Sequence, residues 1–101
     1  MKRYSLRISE QAYKDVENLQ FSIVNLFKSP LTAHRHVQGI IAEINSLKIS
    51  AESYPISSQE SILLYGYNAR RRNYKKMAII YTVHADLVII RRVLSSQMIV
   101  R

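Results

Sequence analysis

The chain has 101 residues and a formal net charge of +8. A chain of this length predicts one domain, which we place at residues 1–101. The absence of cysteine excludes disulfides and a thiolate metal site. No apolar run approaches the ~20 residues that a membrane helix needs, and the first residues lack the apolar stretch of a signal peptide. We therefore expect a soluble, cytoplasmic protein without a membrane partner.

The positive charge is concentrated in the C-terminal part of the chain. Residues 1–60 carry seven Lys and Arg against six Asp and Glu, whereas residues 61–101 carry eight against Asp86 alone. A one-sided basic surface attracts polyanions or an acidic protein segment. The distribution therefore favours a binding surface in this part of the chain over charge that only keeps the protein soluble.

The N-terminal residues predict a strand followed by a helix. Tyr4, Leu6 and Ile8 alternate with polar residues, which is typical of a half-buried strand. Ser9 is suited to cap a helix that ends near Phe27. Three- and four-residue spacing places the following apolar residues in one stripe of that helix: Ala12, Val16, Leu19, Ile23 and Leu26.

The sequence "KSPLTA" predicts the start of a second helix. Ser29 is suited to the cap position, and Pro30 to the first helical position, where its missing N–H costs nothing. Because the connection is short, the two helices should pack as an antiparallel hairpin. The apolar stripe of this helix consists of Ala33, Val37, Ile40, Ile41, Ile44 and Leu47.

The second half of the chain predicts a loop and three strands. Residues 48–61 have no apolar periodicity, and their five serines and Pro55 indicate a loop. Strand patterns follow at residues 62–67, 77–83 and 87–94, and Gly66 and Asn68 indicate a bend or bulge. The last two strands are apolar on both faces, which is typical of central strands covered on both sides.

The predicted fold class is α+β with the order β-α-α-β-β-β. An N-terminal strand and the helical hairpin precede a three-stranded antiparallel sheet, and the hairpin covers one face of a mostly antiparallel sheet.

Several stretches of the sequence, taken in order, resemble the RelE/ParE superfamily of bacterial toxins. "SEQAYKDVENL" is similar to the start of the family's first helix, and "SPLTA" to the opening of its second helix. "INSL" followed by "ESYP" resembles the helix end and loop, and "RRRNYKKMAIIYTVHADLVIIRRVL" resembles the three closing strands. The resemblance covers nearly the whole chain.

The resemblance implies the toxic half of a type II toxin–antitoxin pair, which arrests growth until its cognate antitoxin neutralises it. One branch of the superfamily cuts messenger RNA on the ribosome, and the ParE-like branch poisons DNA gyrase. The expected partners are therefore the antitoxin and either the ribosome with its mRNA or DNA gyrase. We expect no cofactor and no metal.

Residues 70–76 form a basic strip beside the most apolar strands. If the strip is extended, Arg70, Arg72 and Tyr74 point to one face and Arg71 to the other. RNA cleavage by the 2′-OH requires a base, an acid and a group that stabilises the phosphorane charge. On the RNA-cutting interpretation, Arg70, Arg72 and Tyr74 are the candidate catalytic residues. Candidates for binding nucleic acid or the antitoxin are Arg71, Lys75, Lys76, Arg91 and Arg92.

Departures from the RNA-cutting relatives leave the target open. Ser95 and Ser96 stand where many of them carry a His or an Arg, and Met77 and Ala78 stand where they often carry an aromatic residue and an Arg. The general acid and base are therefore unassigned. The density of cations places ribosome-dependent mRNA cleavage first. The alternatives are a ParE-like gyrase inhibitor, for which the long helical hairpin is suited, and an inactive homologue that only binds its antitoxin.

We expect the three histidines and Tyr81 to have structural roles and no role in catalysis. His34 and His36 lie two apart on a helix and point to different faces, so we expect surface residues and not a metal site. His84 is predicted in a turn, and Tyr81 in the core.

Overall fold

A computed structural model describes residues 2–99, without the side chain of Met98. The helices and strands follow one another as β1 (Ser5–Ile8), α1 (Glu10–Phe27), α2 (Pro30–Ser50), α3 (Glu60–Leu63), β2 (Arg70–Tyr74), β3 (Met77–His84) and β4 (Leu87–Ser95). Single 3-10 turns occupy Ala51–Ser53 and Ser96–Met98. Within the described residues, no helix is long and apolar enough to cross a membrane.

The four strands form one sheet in the order β1-β4-β3-β2. β2, β3 and β4 are antiparallel to their neighbours, whereas β1 pairs in parallel with β4, from Ser5 opposite Leu87 to Ile8 opposite Ile90. A parallel pair requires a long connection, and the chain between β1 and β4 contains the helical hairpin, α3, β2 and β3. The α+β class and the antiparallel arrangement of the last three strands are confirmed, and β1 makes the sheet mixed.

Both helix starts are confirmed. The Ser9 hydroxyl accepts a hydrogen bond from the Ala12 N–H at 3.1 Å, and the Ser29 hydroxyl accepts one from the Thr32 N–H at 3.2 Å. Each bond satisfies a donor that the first helical turn leaves free. α1 ends at Phe27 because the next residue adopts the left-handed conformation that turns the chain into α2.

Two apolar layers cover the two faces of the sheet. The hairpin covers the inner face, where Ile40 and Leu47 of α2 pack with Tyr81 and Ile90. The outer face is covered by a smaller cluster around Ile62 that includes Ala69, Ala78, Ile80, Leu94 and Ile99. The prediction of central strands covered on both faces is therefore confirmed.

The predicted strand at residues 62–67 is wrong. The segment contains the end of α3 and a turn, and the first strand of the C-terminal three is instead β2. Ile62 is fully buried and Tyr65 half-buried, a three-residue spacing that covers the outer face, whereas Leu64 is 84% exposed. A short apolar run does not distinguish a strand from such a turn. The predicted bend is confirmed by the positive φ of Asn68, at 58°.

The predicted loop at residues 48–61 starts too early. α2 continues to Ser50, and a 3-10 turn follows it, because buried Leu47 and Ala51 extend the apolar stripe by one more turn. The stripes are also less buried than predicted at two positions, since Leu26 is 75% and Ile41 is 39% exposed.

Candidate functional site

The basic strip coincides with β2 and the turn that follows it. The alternation of side chains places Arg70, Arg72 and Tyr74 on the inner face, which α2 covers, and Arg71 on the outer face. β2 is an edge strand, so the strip lies along one border of the sheet.

Arg70 and Arg72 are both bound to groups within the protein. Nη1 of Arg70 donates to the main-chain oxygen of Tyr54 at 2.6 Å, and Nε of Arg72 donates to Oε2 of Glu43 at 3.0 Å. The Arg72 guanidinium also lies over the Tyr54 ring, 4.8 Å from its centroid. The two arginines therefore join β2 to the preceding loop and to α2.

Tyr74 packs on α2, next to a histidine that the sequence did not connect with the strip. Its ring lies against Gly39 and has its centroid 5.9 Å from that of His36. The Lys75 ammonium is 5.5 Å from the Tyr74 ring centroid. Burial, and then the charge of Lys75, lower the pKa of His36, so its ring is neutral near pH 7. No sequence signal places α2 beside β2.

The other strip cations are less constrained. On the outer face, Nε of Arg71 donates to Asn73 Oδ1 at 2.8 Å, and its Nη2 lies 3.3 Å from Ser96 Oγ. Lys75 and Lys76 are exposed in the turn between β2 and β3. Over residues 2–99, neither lysine has a carboxylate within ion-pair distance. These lysines carry the accessible charge of the strip.

Arg91 and Arg92 lie on β4. Because β3 lies between β4 and β2, the two arginines are two strand spacings, roughly 10 Å, from the strip. The register shift between Ile80 and Tyr81 leaves Arg91 without a direct partner on β3, and its Nε donates to the buried Thr82 hydroxyl at 3.0 Å. Arg92 points to α1 and binds Asp15 through two nitrogens. That bond raises the pKa of Arg92. Strand alternation predicts opposite faces for these adjacent residues, but the bulge places both on the outer face, because Arg92 lies opposite Ile80 and Arg91 contacts Thr82. Neither arginine extends the strip.

Tyr81 and His84 both contact other groups of the protein. Tyr81 is buried as predicted, and its hydroxyl donates to the main-chain oxygen of Ala51 at 2.6 Å. Burial raises its pKa, which keeps the phenol neutral. His84 is at the exposed end of β3, with Nε2 2.8 Å from Thr82 Oγ1.

Three groups in or beside the strip that could exchange protons, Glu43, His36 and Tyr74, are paired or half-buried. The carboxylate that contacts the strip, Glu43, is paired with Arg72. Tyr74 and neutral His36 are in ring contact, and each ring is half-buried. In the part of the chain that the structure covers, no three His, Cys, Asp or Glu side chains converge as metal ligands.

Comparisons with known proteins agree with the fold. Residues 6–100 match the family described as "ParE toxin of type II toxin-antitoxin system, parDE". The structure is similar to a chain of the chromosomal ParDE TA system from P. aeruginosa, with a TM-score of 0.77 and 19% sequence identity over 92% of this chain and 96% of that chain. No curated protein sequence matches.

The family match spans all the strands and helices described above except the first residue of β1. The resemblance to the RelE/ParE superfamily is thus confirmed. A toxin of this kind has a cognate antitoxin as its partner. The chain therefore belongs to the ParE toxin family, as the toxin component of a type II toxin–antitoxin system.

Proposed function

We propose that this toxin arrests growth by inhibiting DNA gyrase and that it does not cut RNA. The observation that carries the proposal is the internal pairing of Arg70 and Arg72. A nuclease of this kind needs cations that reach the scissile phosphate, a base for the 2′-OH proton and an acid for the leaving 5′-oxygen. Here the two arginines instead hold β2 to its surroundings through bonds within the protein.

Membership of the ParE family supports the same target, because the ParE-like branch poisons gyrase. Inhibition of a large enzyme requires a contact surface and no catalytic group. The closed end of the helical hairpin offers one, since Leu26, Phe27 and Leu31 are 75%, 62% and 58% exposed. Clustered exposed apolar side chains mark interaction sites. We assign this apolar tip to gyrase, and we place the protein in the cytoplasm with its target.

The proposal is tested with purified gyrase and plasmid DNA. The toxin should block supercoiling, and the double variant Leu26→Glu with Phe27→Glu should inhibit at least ~30-fold more weakly, the loss expected for two interface anchors. The control is Glu17→Ala, an exposed change elsewhere on α1. Unchanged inhibition by the double variant would show that the apolar tip does not bind gyrase. Normal supercoiling in the presence of a toxin that still arrests growth would remove gyrase as the target.

Ribosome-dependent RNA cleavage is a second candidate, and one observation favours it. His36, Tyr74 and Lys75 come together beside the strip, and a neutral imidazole next to a phenol and an ammonium group is suited to acid–base chemistry. The test is to map mRNA 5′ ends in a purified translation reaction with paused ribosomes. Cuts made by the wild type and lost with His36→Ala would establish the nuclease. His34→Ala is the matched control, since His34 is exposed on the same helix.

A further inference from the structure

A cleft of about 320 Å³ opens on the outer face of the sheet, between the start of α1 and the turn that follows α3. Gly66 lets this turn lie close to β3 and β4, because a Cβ atom on it would be 2.7 Å from Cγ2 of Thr82 and 3.7 Å from Nε of Arg91. The cleft is lined by Ser9, Gln11, Leu64, Tyr65, Arg91 and Arg92. None of these residues is acidic, so the charge of the cleft is positive.

Arg91 carries a charge that the protein does not compensate. Its Nε donates to the Thr82 hydroxyl at 3.0 Å, and its Nη2 lies 3.4 Å from Nε2 of His84. Over residues 2–99, no carboxylate lies within ion-pair distance of Arg91, whereas Asp15 binds the neighbouring Arg92. Arg91 is also half-buried, and a charge in such a position is unfavourable unless an anion accompanies it. The contacts of Arg91 therefore fix its guanidinium group and leave its charge to an anionic ligand.

A second arginine, Arg7 of β1, lies on the same face beside the cleft. Leu6 and Ile8 pack in the inner apolar layer, so strand alternation places Arg7 on the outer face. Arg7 pairs with Ile89, and Arg91 is two residues further along β4. One strand spacing and two residue steps put the Cα atoms of the two arginines about 8 Å apart. Arg7 is exposed and, within residues 2–99, it too has no carboxylate at ion-pair distance.

The start of α1 adds to the attraction for an anion. The Ser9 hydroxyl donates to the main-chain oxygen of Arg91 at 2.9 Å, which holds the helix start against β4. The N–H groups of Glu10 and Gln11 have no acceptor among the described residues, and the N-terminus of a helix favours negative charge. The Glu10 carboxylate is 86% exposed and pairs with Lys14 at 3.5 Å. The helix start therefore supports the two arginines.

Phosphate is the anion that fits this set of groups, because guanidinium groups and the N–H groups of a helix start are typical contacts of phosphate oxygens. The cleft is open and its two uncompensated arginines are spread along the face, which suits a phosphodiester backbone better than a small enclosed anion. We propose that this cleft binds the backbone of duplex DNA through Arg7 and Arg91. The proposal rests on the proposed function, since the DNA is the segment that gyrase holds while the apolar tip contacts the enzyme.

Fluorescence anisotropy with the refolded toxin and a short labelled DNA duplex tests the proposal in the absence of gyrase. Arg7→Gln and Arg91→Gln should each weaken binding about 5- to 10-fold at about 0.1 M salt, and each should lower the slope of log affinity against log salt by about 1. The matched control is Arg35→Gln, which removes the same charge from an exposed position of α2. It should leave the slope unchanged. Equal losses for the three variants would overturn the proposal, because net charge alone would then explain the binding.

Two further variants and ligands complete the test. Arg91→Lys keeps the charge and should retain most of the affinity. Arg7→Gln removes an exposed side chain, so it still tests the site if Arg91→Gln does not fold. Inorganic phosphate, added at constant ionic strength and at the same concentration of phosphate groups, should displace little DNA. Full displacement would identify a small-anion site and overturn the assignment to DNA, as would tighter binding of single-stranded RNA.

The binding assay and the supercoiling assay fail separately. A toxin that binds duplex DNA through Arg7 and Arg91 but leaves supercoiling intact would keep the phosphate site and exclude gyrase as the target. A toxin that blocks supercoiling while both glutamine variants bind DNA like the wild type would keep the target and overturn the site.

Discussion

Asp15 of α1 binds Arg92 and also closes the edge of β4. Its Oδ2 accepts hydrogen bonds from Arg92 Nε at 2.7 Å and from the Val93 N–H at 2.9 Å, and its Oδ1 accepts one from Arg92 Nη2 at 3.0 Å. β1 ends at Ile8, opposite Ile90, so no strand is available to pair with Val93. One carboxylate thus replaces the missing strand and joins α1 to the sheet.

Replacing Asp15 should therefore cost more stability than a typical ion pair. Its side chain is only 11% exposed, and Asp15→Ala leaves both the Arg92 guanidinium and the Val93 N–H without their acceptor. We expect a loss of about 3 kcal/mol in the free energy of unfolding, measured by urea denaturation. Asp15→Asn keeps one acceptor and should lose less.

The control for this measurement is the exposed pair of Glu10 and Lys14 on the same helix. Glu10→Ala should change the free energy of unfolding by less than about 0.5 kcal/mol, because solvent screens such a pair. Similar losses for Asp15→Ala and Glu10→Ala would show that the Asp15 contacts do not stabilise the edge.

The Asp15 contacts illustrate which features the sequence predicts and which it does not. Ser9 and Ser29 act on their own helices, so their capping role follows from the local sequence. Asp15 lies in the stretch that resembles the toxin superfamily, but its partner Arg92 is near the other end of the chain. Nothing local connects the two, and Arg92 was therefore interpreted as a binding residue.

The candidate site, too, was predictable only where it depends on the local sequence. The alternation of Arg70, Arg72 and Tyr74 on one face follows from the period of a strand. That this face lies under α2, with Glu43 and His36 against it, depends on how the hairpin crosses the sheet. Charge density alone therefore suggested a free cationic surface, whereas the three arginines are hydrogen-bonded within the protein and Lys75 and Lys76 are exposed.

The contact between Gly39 and Tyr74 predicts that the effect of Gly39→Ala on stability changes from destabilising to stabilising when the Tyr74 ring is removed. A methyl group at position 39 would overlap the Tyr74 hydroxyl and lie 2.5 Å from its Cζ. Gly39→Ala should therefore destabilise the protein by about 1–2 kcal/mol, even though alanine is favoured in a helix by about 1 kcal/mol. In a Tyr74→Ala background the clash is gone, and Gly39→Ala should become stabilising. Urea denaturation of the four proteins measures the cycle, and purely additive effects would contradict the contact.

His36 predicts a pH dependence of stability. Its pKa in the folded protein is below the ordinary value of 6.5, mainly because of burial. As the pH falls below 6.5, the unfolded chain takes up a proton that the folded protein resists, so the free energy of unfolding decreases. The stabilisation is fully present above pH 6.5 and is lost as the pH falls through the folded pKa. Urea denaturation across this range should give a shallower pH dependence for His36→Gln than for the wild type.

The matched control is His34→Gln, which removes an exposed histidine from the same helix. It should leave the pH dependence of the wild type in place. If the two variants flatten the curve equally, the effect does not come from the half-buried position of His36 beside Tyr74.

Substitutions of Arg72 and Glu43 test whether Arg72 stabilises the fold or contacts the target. Its pair with Glu43 is partly exposed, with 34% of the Arg72 side chain and 26% of the Glu43 side chain accessible. Arg72→Ala should therefore lower the free energy of unfolding by about 1 kcal/mol. Glu43→Gln should lose less, because it keeps an acceptor oxygen for Arg72 and leaves the contact of Arg72 with the Tyr54 ring. Neither change should alter gyrase inhibition, which is measured as the toxin concentration that halves supercoiling. A large loss of inhibition with Arg72→Ala, together with full inhibition by Glu43→Gln, would show that the guanidinium itself contacts the target.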